Sequence, residues 1–238
     1  MPAASHHHPD PSRDRILHAA IREFSEHGLA GARTSAIAAA ARVNKALLYY
    51  YFRDKEGLYV AALSEVAGKV AGEALAVLAL DCSPGERVLR LVLQHFDRIC
   101  SQHGFQALMQ QEMVRFRTGQ SNAMRIIAKK AFEPMWDRTL GIVNDGIRSG
   151  ELCSVDPMQM MYAALGANVF FFLSSPMVRL VTAVDPLDPA AVADRRTAAI
   201  EYLGQTIFTD RRRGARSAKA VLAAMPIPEH ALPERKSA

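Results

Sequence analysis

Paired cysteines, strand patterns and catalytic motifs are what this chain lacks, and each absence removes a class of protein. Its three cysteines, Cys82, Cys100 and Cys153, share no spacing that suggests a disulfide framework, a zinc site or a redox pair. They read as buried or partly buried thiols of a reducing compartment. β-Branched residues are sparse beside Ala, Leu and Met, and no stretch alternates apolar with polar residues as a half-buried strand does. The N-terminus has no basic-then-apolar secretory pattern. His6-His7-His8 lies among Pro, Ala and Ser, as in a loose leader with no metal role. There is no Gly-x-Ser-x-Gly, no His-Glu-x-x-His, no phosphate loop and no Gly-rich dinucleotide turn. No Glu-x-x-His occurs in the later helical stretches, so a di-iron carboxylate bundle is unsupported. The expectation is a cytoplasmic, non-enzymatic protein with no catalytic residue, no cofactor and no metal.

What is present favours a helical globule. Half of the 238 residues are hydrophobic, enough for a sizeable core. The net charge of +5 is unevenly spread. Residues 1–60 carry eight Lys/Arg against six Asp/Glu, whereas residues 209–238 carry seven against three. Most of the excess therefore sits near the C-terminus, and bulk charge alone is weak ground for nucleic-acid binding. Such a claim has to rest on a motif.

Helical spacing and breakers divide the chain into a disordered leader (1–11), a three-helix segment (12–58), a helical body (59–209) and a basic, loosely ordered tail (210–238). Ser12 can cap a first helix whose Ile16, Leu17, Ala20, Ile21 and Phe24 form one stripe, with Gly28 ending it. A long run of helix formers follows from Asp54 to about Leu80, and Ser83-Pro84-Gly85 stops and restarts the chain. Further helices are predicted over 84–102, 105–116, 121–149, 156–173 and 190–208, with Pro134 kinking or breaking the third near Phe132-Glu133. Ser174-Ser175-Pro176 closes the 156–173 stretch. The fold class is all-α.

Residues 34–58 carry the functional signal. Thr34 is a suitable N-cap, and Ile37, Ala38 and Ala41 follow at helical spacing. The run breaks at Arg42-Val43-Asn44, where Asn44 can cap a second helix of only about two turns. Asp54 then caps another, with Glu56 in its first turn, where the macrodipole favours it. A helix this short is not stable alone, so it must be a displayed element of a helix-turn-helix.

The same residues resemble the DNA-binding end of tetracycline-repressor-type (TetR) regulators. Thr34, Ile37-Ala38, Ala41-Arg42-Val43-Asn44, Leu48-Tyr49-Tyr50-Tyr51-Phe52 and Lys55-Glu56-Gly57-Leu58 fall in that family's order, and Arg13 to His27 fits its first helix. The family's turn Gly is Arg42 here, Ala46 stands where Gly is usual, and Leu47 where Thr is frequent. A left-handed backbone at Arg42 would cost about 1 kcal/mol or more. The resemblance implies a three-helix DNA-binding domain followed by a helical ligand-binding and dimerisation domain. It also implies a repressor that binds a palindromic double-stranded operator as a homodimer. Thr34, at a helix N-terminus, and Lys55 are placed for phosphates. Tyr49 and Tyr50 resemble the family's phosphate-contacting pair. Lys45 and Leu47 are the candidates for base contacts, with Asn44 and Arg42 beside them.

In the body, Phe96, Met109, Met113, Phe116, Trp136, Leu140, Met161, Tyr162 and Phe170 are candidates to line a cavity for a largely apolar small-molecule effector. His95, His103, Glu112, Arg115 and Asn168 are possible polar selectors. The 156–173 stretch is apolar nearly all round, yet Gly166 and Asn168 interrupt it, so no membrane span is expected. An all-apolar helix is buried on all sides. That fits a core on one side and, by the resemblance, a partner subunit on the other; a purely intrachain core is the alternative. The rival function is a helical small-molecule-binding protein that has lost specific DNA binding, a reading suggested by Arg42 and Leu47.

Overall fold

The computed structural model describes residues 11–228, except for the side chains at positions 103–105 and 107. The predicted leader up to residue 10, the last ten residues and the His103 side chain lie outside the described residues. The chain folds into α1 (Pro11–Gly31), α2 (Thr34–Ala40), α3 (Lys45–Phe52), α4 (Lys55–Leu78), α5 (Pro84–Ser101), α6 (His103–Arg117) and α7 (Ala123–Ile127). A π-helical turn (Ala128–Phe132) leads into α8 (Glu133–Arg148), followed by α9 (Pro157–Thr182), α10 (Pro189–Thr206) and α11 (Arg211–Ala224). Among the described residues there is no strand, only one isolated antiparallel bridge between Leu152 and Phe208.

Two compact units result. The first takes the chain up to Val70 and adds Gly104–Phe132; the second takes Ala71–His103 and everything from Glu133 onward. The expected boundary after residue 58 therefore falls inside α4, which runs unbroken from Lys55 to Leu78. That α6 and α7 join the first unit follows from tertiary packing, which no local pattern encodes.

In the first unit the apolar stripe of α1 is buried as predicted, through Ile16, Leu17, Ala20 and Phe24. Gly28 breaks α1 with φ 64° and ψ −179°, a backbone that a side chain would strain. Phe24 meets Tyr59 of α4 edge-on, with ring centroids 5.1 Å apart. Burial pushes the Tyr59 hydroxyl up to about 12, with the nearby Glu112 charge adding to it.

The second unit is built around α5, whose Val88, Leu89, Val92, Leu93 and Phe96 are buried against residues from α8, α9, α10 and α11. A buried bidentate ion pair, Arg196 to Asp97 at 2.7 and 2.8 Å, ties α10 to α5, and Arg196 also donates to the Met225 carbonyl at 2.6 Å. Burial pushes the Cys100 thiol up to about 11 and raises that of Cys82. Burial thus favours the protonated form of both thiols.

The break predicted near Phe132-Glu133 is present, and two expectations change. The 121–149 stretch is two α-helices joined by a π-helical turn that ends at Phe132, so the disruption lies just before Pro134, which sits in the first turn of α8. Helix α9 does not close at Ser174-Ser175-Pro176 but continues to Thr182. Ser175 Oγ donates to the Phe171 carbonyl at 2.6 Å, a local bond within the turn that Pro176 disturbs. Finally, residues 211–224, expected as loose tail, form α11. Asp210 caps it, and backbone N–H groups of Arg213 and Arg212 hold that carboxyl below its usual range. Gly204 and Gly214 let α10 and α11 touch: a Cβ on Gly204 would lie 2.6 Å from the Gly214 carbonyl oxygen. Buried Glu151 adds an ion pair with Arg213 at 3.0 Å and a hydrogen bond from Ser83 Oγ at 2.6 Å.

Candidate nucleic-acid interface and ligand site

The α2–turn–α3 unit is held from below and open above. Ile37, Ala38, Leu48 and Phe52 are buried. The turn is a Schellman motif: Val43 N–H donates to the Ala38 carbonyl at 3.0 Å and Arg42 N–H to Ala39 at 3.1 Å. Arg42 occupies the position where Gly is usual, with φ 56°, so the strained alternative is the one adopted. Arg15 Nε, from α1, donates to the Ala41 carbonyl at 3.2 Å and fastens this turn, a role the sequence reading missed. Asn44 caps α3 as expected, accepting from Leu47 N–H at 2.7 Å. Asp54 caps α4 through Gly57 N–H at 2.6 Å.

Thr34 is not the N-cap of α2. Arg33 occupies that position without a side-chain cap, and its N–H donates to Glu23 Oε1 at 2.9 Å. Thr34 is the first helical residue, and its hydroxyl lies 3.3 Å from the Tyr49 hydroxyl. Lys45 Nζ stands 5.7 Å from the centre of the Tyr49 ring. Thr34, Lys45 and Tyr49 thus form one surface group at the open end of α2 and α3. Tyr50 is 79% exposed, and Arg42 and Asn44 are also exposed. Leu47 is half-buried. Lys55 donates to the Ala30 carbonyl at 3.3 Å, which fixes its ammonium at the start of α4.

The predicted effector-lining residues divide between the two units. Met109, Met113 and Phe116 belong to the first unit and the other six to the second. Met109 is buried, Met113 is exposed, and the Phe116 ring lies under Arg125 at 5.3 Å. In the second unit Met161 is core, and Phe96 packs on Phe171 and Phe172. Trp136 and Leu140 are half-buried against that core. Tyr162, 6.1 Å from Trp136, and Phe170 lie instead on the exposed side of α9.

The polar candidates make defined contacts within the fold. Asn168 is buried, donating to the Val92 carbonyl at 3.0 Å and lying 3.4 Å from His95 Nδ1. Burial and the neighbouring Arg98 pull His95 down to about 4, so it is neutral at pH 7. In the first unit, Arg115 bridges Glu112 at 3.2 Å and Glu56 at 3.0 Å. Sequence reasoning missed Glu73, Gln94 and Arg98, which join His95 in one polar cluster. The available signal was Gln94, His95 and Arg98 at helical spacing on an otherwise apolar helix.

The buried side of α9 is Met160, Met161, Ala164, Asn168 and Ser175. Its other side exposes Tyr162, Phe170, Leu173 and Met177. A groove of about 590 Å³ runs between α9 and α10, lined mainly by Ala163, Ala167, Ala199, Tyr202 and Leu203. By length and composition α9 could cross a bilayer, but buried Asn168 bonds it at mid-length to α5.

Residues 16–62 match the model of bacterial regulatory proteins of the tetR family. That match covers the N-terminal segment alone and marks it as similar to the family's DNA-binding end. Over 81 residues it is 38% identical to the HTH-type transcriptional repressor NicS of Pseudomonas putida, covering 34% of this chain and 38% of that protein. Over 57 residues it is 46% identical to the repressor SCO4008 of Streptomyces coelicolor, covering 24% and 30%. These alignments span well under half of each relative. Among solved structures, FadR of Bacillus subtilis in complex with stearoyl-CoA aligns over 80% of this chain and 96% of its own, with a TM-score of 0.61 at 21% identity. The tetR likeness in sequence is thus concentrated at the N-terminus, while the likeness in fold extends over most of the chain.

Proposed function

We propose that this protein is a ligand-responsive transcriptional repressor of the tetR type that occupies a palindromic operator as a homodimer. The observation that carries the reading is the open surface of α2 and α3, where Thr34, Arg42, Asn44, Lys45, Tyr49 and Tyr50 are gathered on helices too short to stand alone. Lys45 and half-buried Leu47 contact bases in the major groove; Thr34, Tyr49, Tyr50 and Lys55 hold phosphates. Arg42 and Asn44 flank the base contacts.

Dimerisation uses the exposed apolar side of α9 together with α10. Small residues Ala163, Gly166, Ala167 and Ala199 allow close helix approach there, and Tyr162, Phe170 and Tyr202 supply apolar area. Such a pair of heads reads two half-sites about one helical turn or a multiple apart. An effector held in the second unit and DNA must be reciprocally linked. The reading implies a cytoplasmic protein with no enzymatic activity.

The test is selection of bound sequences from a random double-stranded library at two salt concentrations. A recovered palindrome with two half-sites supports the proposal. Sequence-blind, purely salt-sensitive binding, or none, supports a helical ligand-binding protein without specific DNA recognition.

A further inference from the structure

The polar cluster on α5 contains a recognition edge that the fold holds only through one long ion pair. The Nε–H and Nη2–H of an arginine lie along one side of the guanidinium, spaced to take both oxygens of a carboxylate. Arg196, in the same unit, uses that edge on Asp97 at 2.7 and 2.8 Å. Arg98 has the same edge in a comparable environment, its side chain only 10% exposed, but Nε and Nη2 make no hydrogen bond among the described residues. Glu73 of α4 faces that edge as a longer ion pair, its Oε2 3.4 Å from Nη2. Glu73 is 39% exposed, so its carboxylate can turn to solvent while the guanidinium cannot.

Beside this edge lies a buried acceptor with nothing to accept from. Gln94 donates through Nε2 to the Glu73 carbonyl at 3.3 Å, which fixes the amide so that Oε1 faces away, buried and without a hydrogen bond among the described residues. His95 and Asn168 continue the cluster on the same helix face and on α9. A buried guanidinium edge and a buried lone amide oxygen each carry a desolvation penalty that an external partner would relieve. The neutral state of His95 removes a second positive charge, leaving Arg98 as the anion-selecting group.

We propose that Arg98 and Gln94 form the polar end of the effector site, taking an organic carboxylate that carries a neighbouring hydroxyl or N–H donor. The carboxylate bonds the Nε/Nη2 edge in place of Glu73, and the donor bonds Gln94 Oε1. This rests on the regulator reading for its consequence but not for the binding itself. Glu73 belongs to α4, which begins at Lys55, two residues after α3 and its C-cap Arg53. An arriving carboxylate displaces Glu73 and so removes a tether between α4 and α5.

The experiment uses the full chain and a panel of hexanoate, 3-hydroxyhexanoate, benzoate and 2-hydroxybenzoate with their primary amides, measured by thermal shift and calorimetry. At least one acid should bind while its amide does not, with the hydroxy acid tighter than its parent. Arg98→Gln should weaken that acid by about tenfold or more. Glu73→Gln, which removes the competing charge, should tighten it several-fold. Absence of acid–amide discrimination, undiminished binding in Arg98→Gln, or no gain in Glu73→Gln would overturn the proposal; the last variant keeps it decidable should Arg98→Gln not fold. DNA affinity is measured in parallel. Acid binding without DNA binding would sink the regulator reading alone, and DNA binding without acid discrimination would sink this one alone.

Discussion

The α2–α3 segment and the α9–α10 pair are both helical and both leave a face uncovered, but the uncovered faces differ in kind. On α2–α3 the exposed side chains are Lys45, Arg42, Asn44 and two tyrosines, over a few buried anchors such as Ile37 and Leu48. On α9–α10 they are Tyr162, Phe170, Leu173, Met177 and Tyr202. A charged and aromatic face on a helix of eight residues suits a polyanion with readable grooves. A long apolar face suits another apolar face. The proposed function assigns these two faces to different partners, DNA and a second copy of the chain.

The largest expected effect tests how firmly the second unit holds its own surface in place. Arg196→Ala leaves Asp97 buried and unpaired between α5 and α10, and should destabilise by about 3–5 kcal/mol in chemical denaturation. A loss below about 1 kcal/mol would mean that this pair does not organise the α9–α10 face.

Next is a pH effect confined to the second unit. His95 is held near 4 in the fold and titrates near 6.5 when unfolded. Between those values the unfolded chain binds a proton that the folded chain refuses, so stability falls as pH drops from about 6.5 to about 4. The loss attributable to His95 is about 3 kcal/mol. His95→Asn should flatten that part of the profile, and an unchanged profile would assign the acid sensitivity elsewhere.

The smallest effects belong to the turn of the first unit, and they have opposite signs. Asn44→Ala removes the α3 cap and should cost about 1 kcal/mol. Arg42→Gly relieves a left-handed backbone and should gain about 1 kcal/mol in thermal denaturation. If Arg42→Gly also created specific DNA binding absent from the parent, the proposed function would pass to the ligand-binding rival.

The two regions were unequally legible from sequence. Caps and turns are local, so Asn44, Asp54, Gly28 and Ser83-Pro84 could be read from neighbouring residues alone. Thr34 slipped by one position: Arg33 takes the N-cap place with no side-chain cap, and its N–H is held instead by Glu23 from another helix, a contact that no local pattern shows. The extent of α9 was missed because Pro176 normally ends a helix, and nothing local announced that Ser175 would bond back to Phe171. Ordering of α11 depends on Gly204, Gly214 and Glu151, residues that meet only in three dimensions. The effector residues were least legible, since Met and aromatic side chains at helical spacing describe core and cavity alike. Met161 proved to be core and Phe170 surface.

The central claim is that α3 reads base pairs while the start of α4 only grips the backbone. The most direct test compares Lys45→Ala and Lys55→Ala across single-base variants of the selected operator. The account predicts that Lys55→Ala weakens binding nearly uniformly, whereas Lys45→Ala also loses about 1–3 kcal/mol of discrimination at particular base pairs in each half-site. Equal, sequence-independent losses from both substitutions would contradict it.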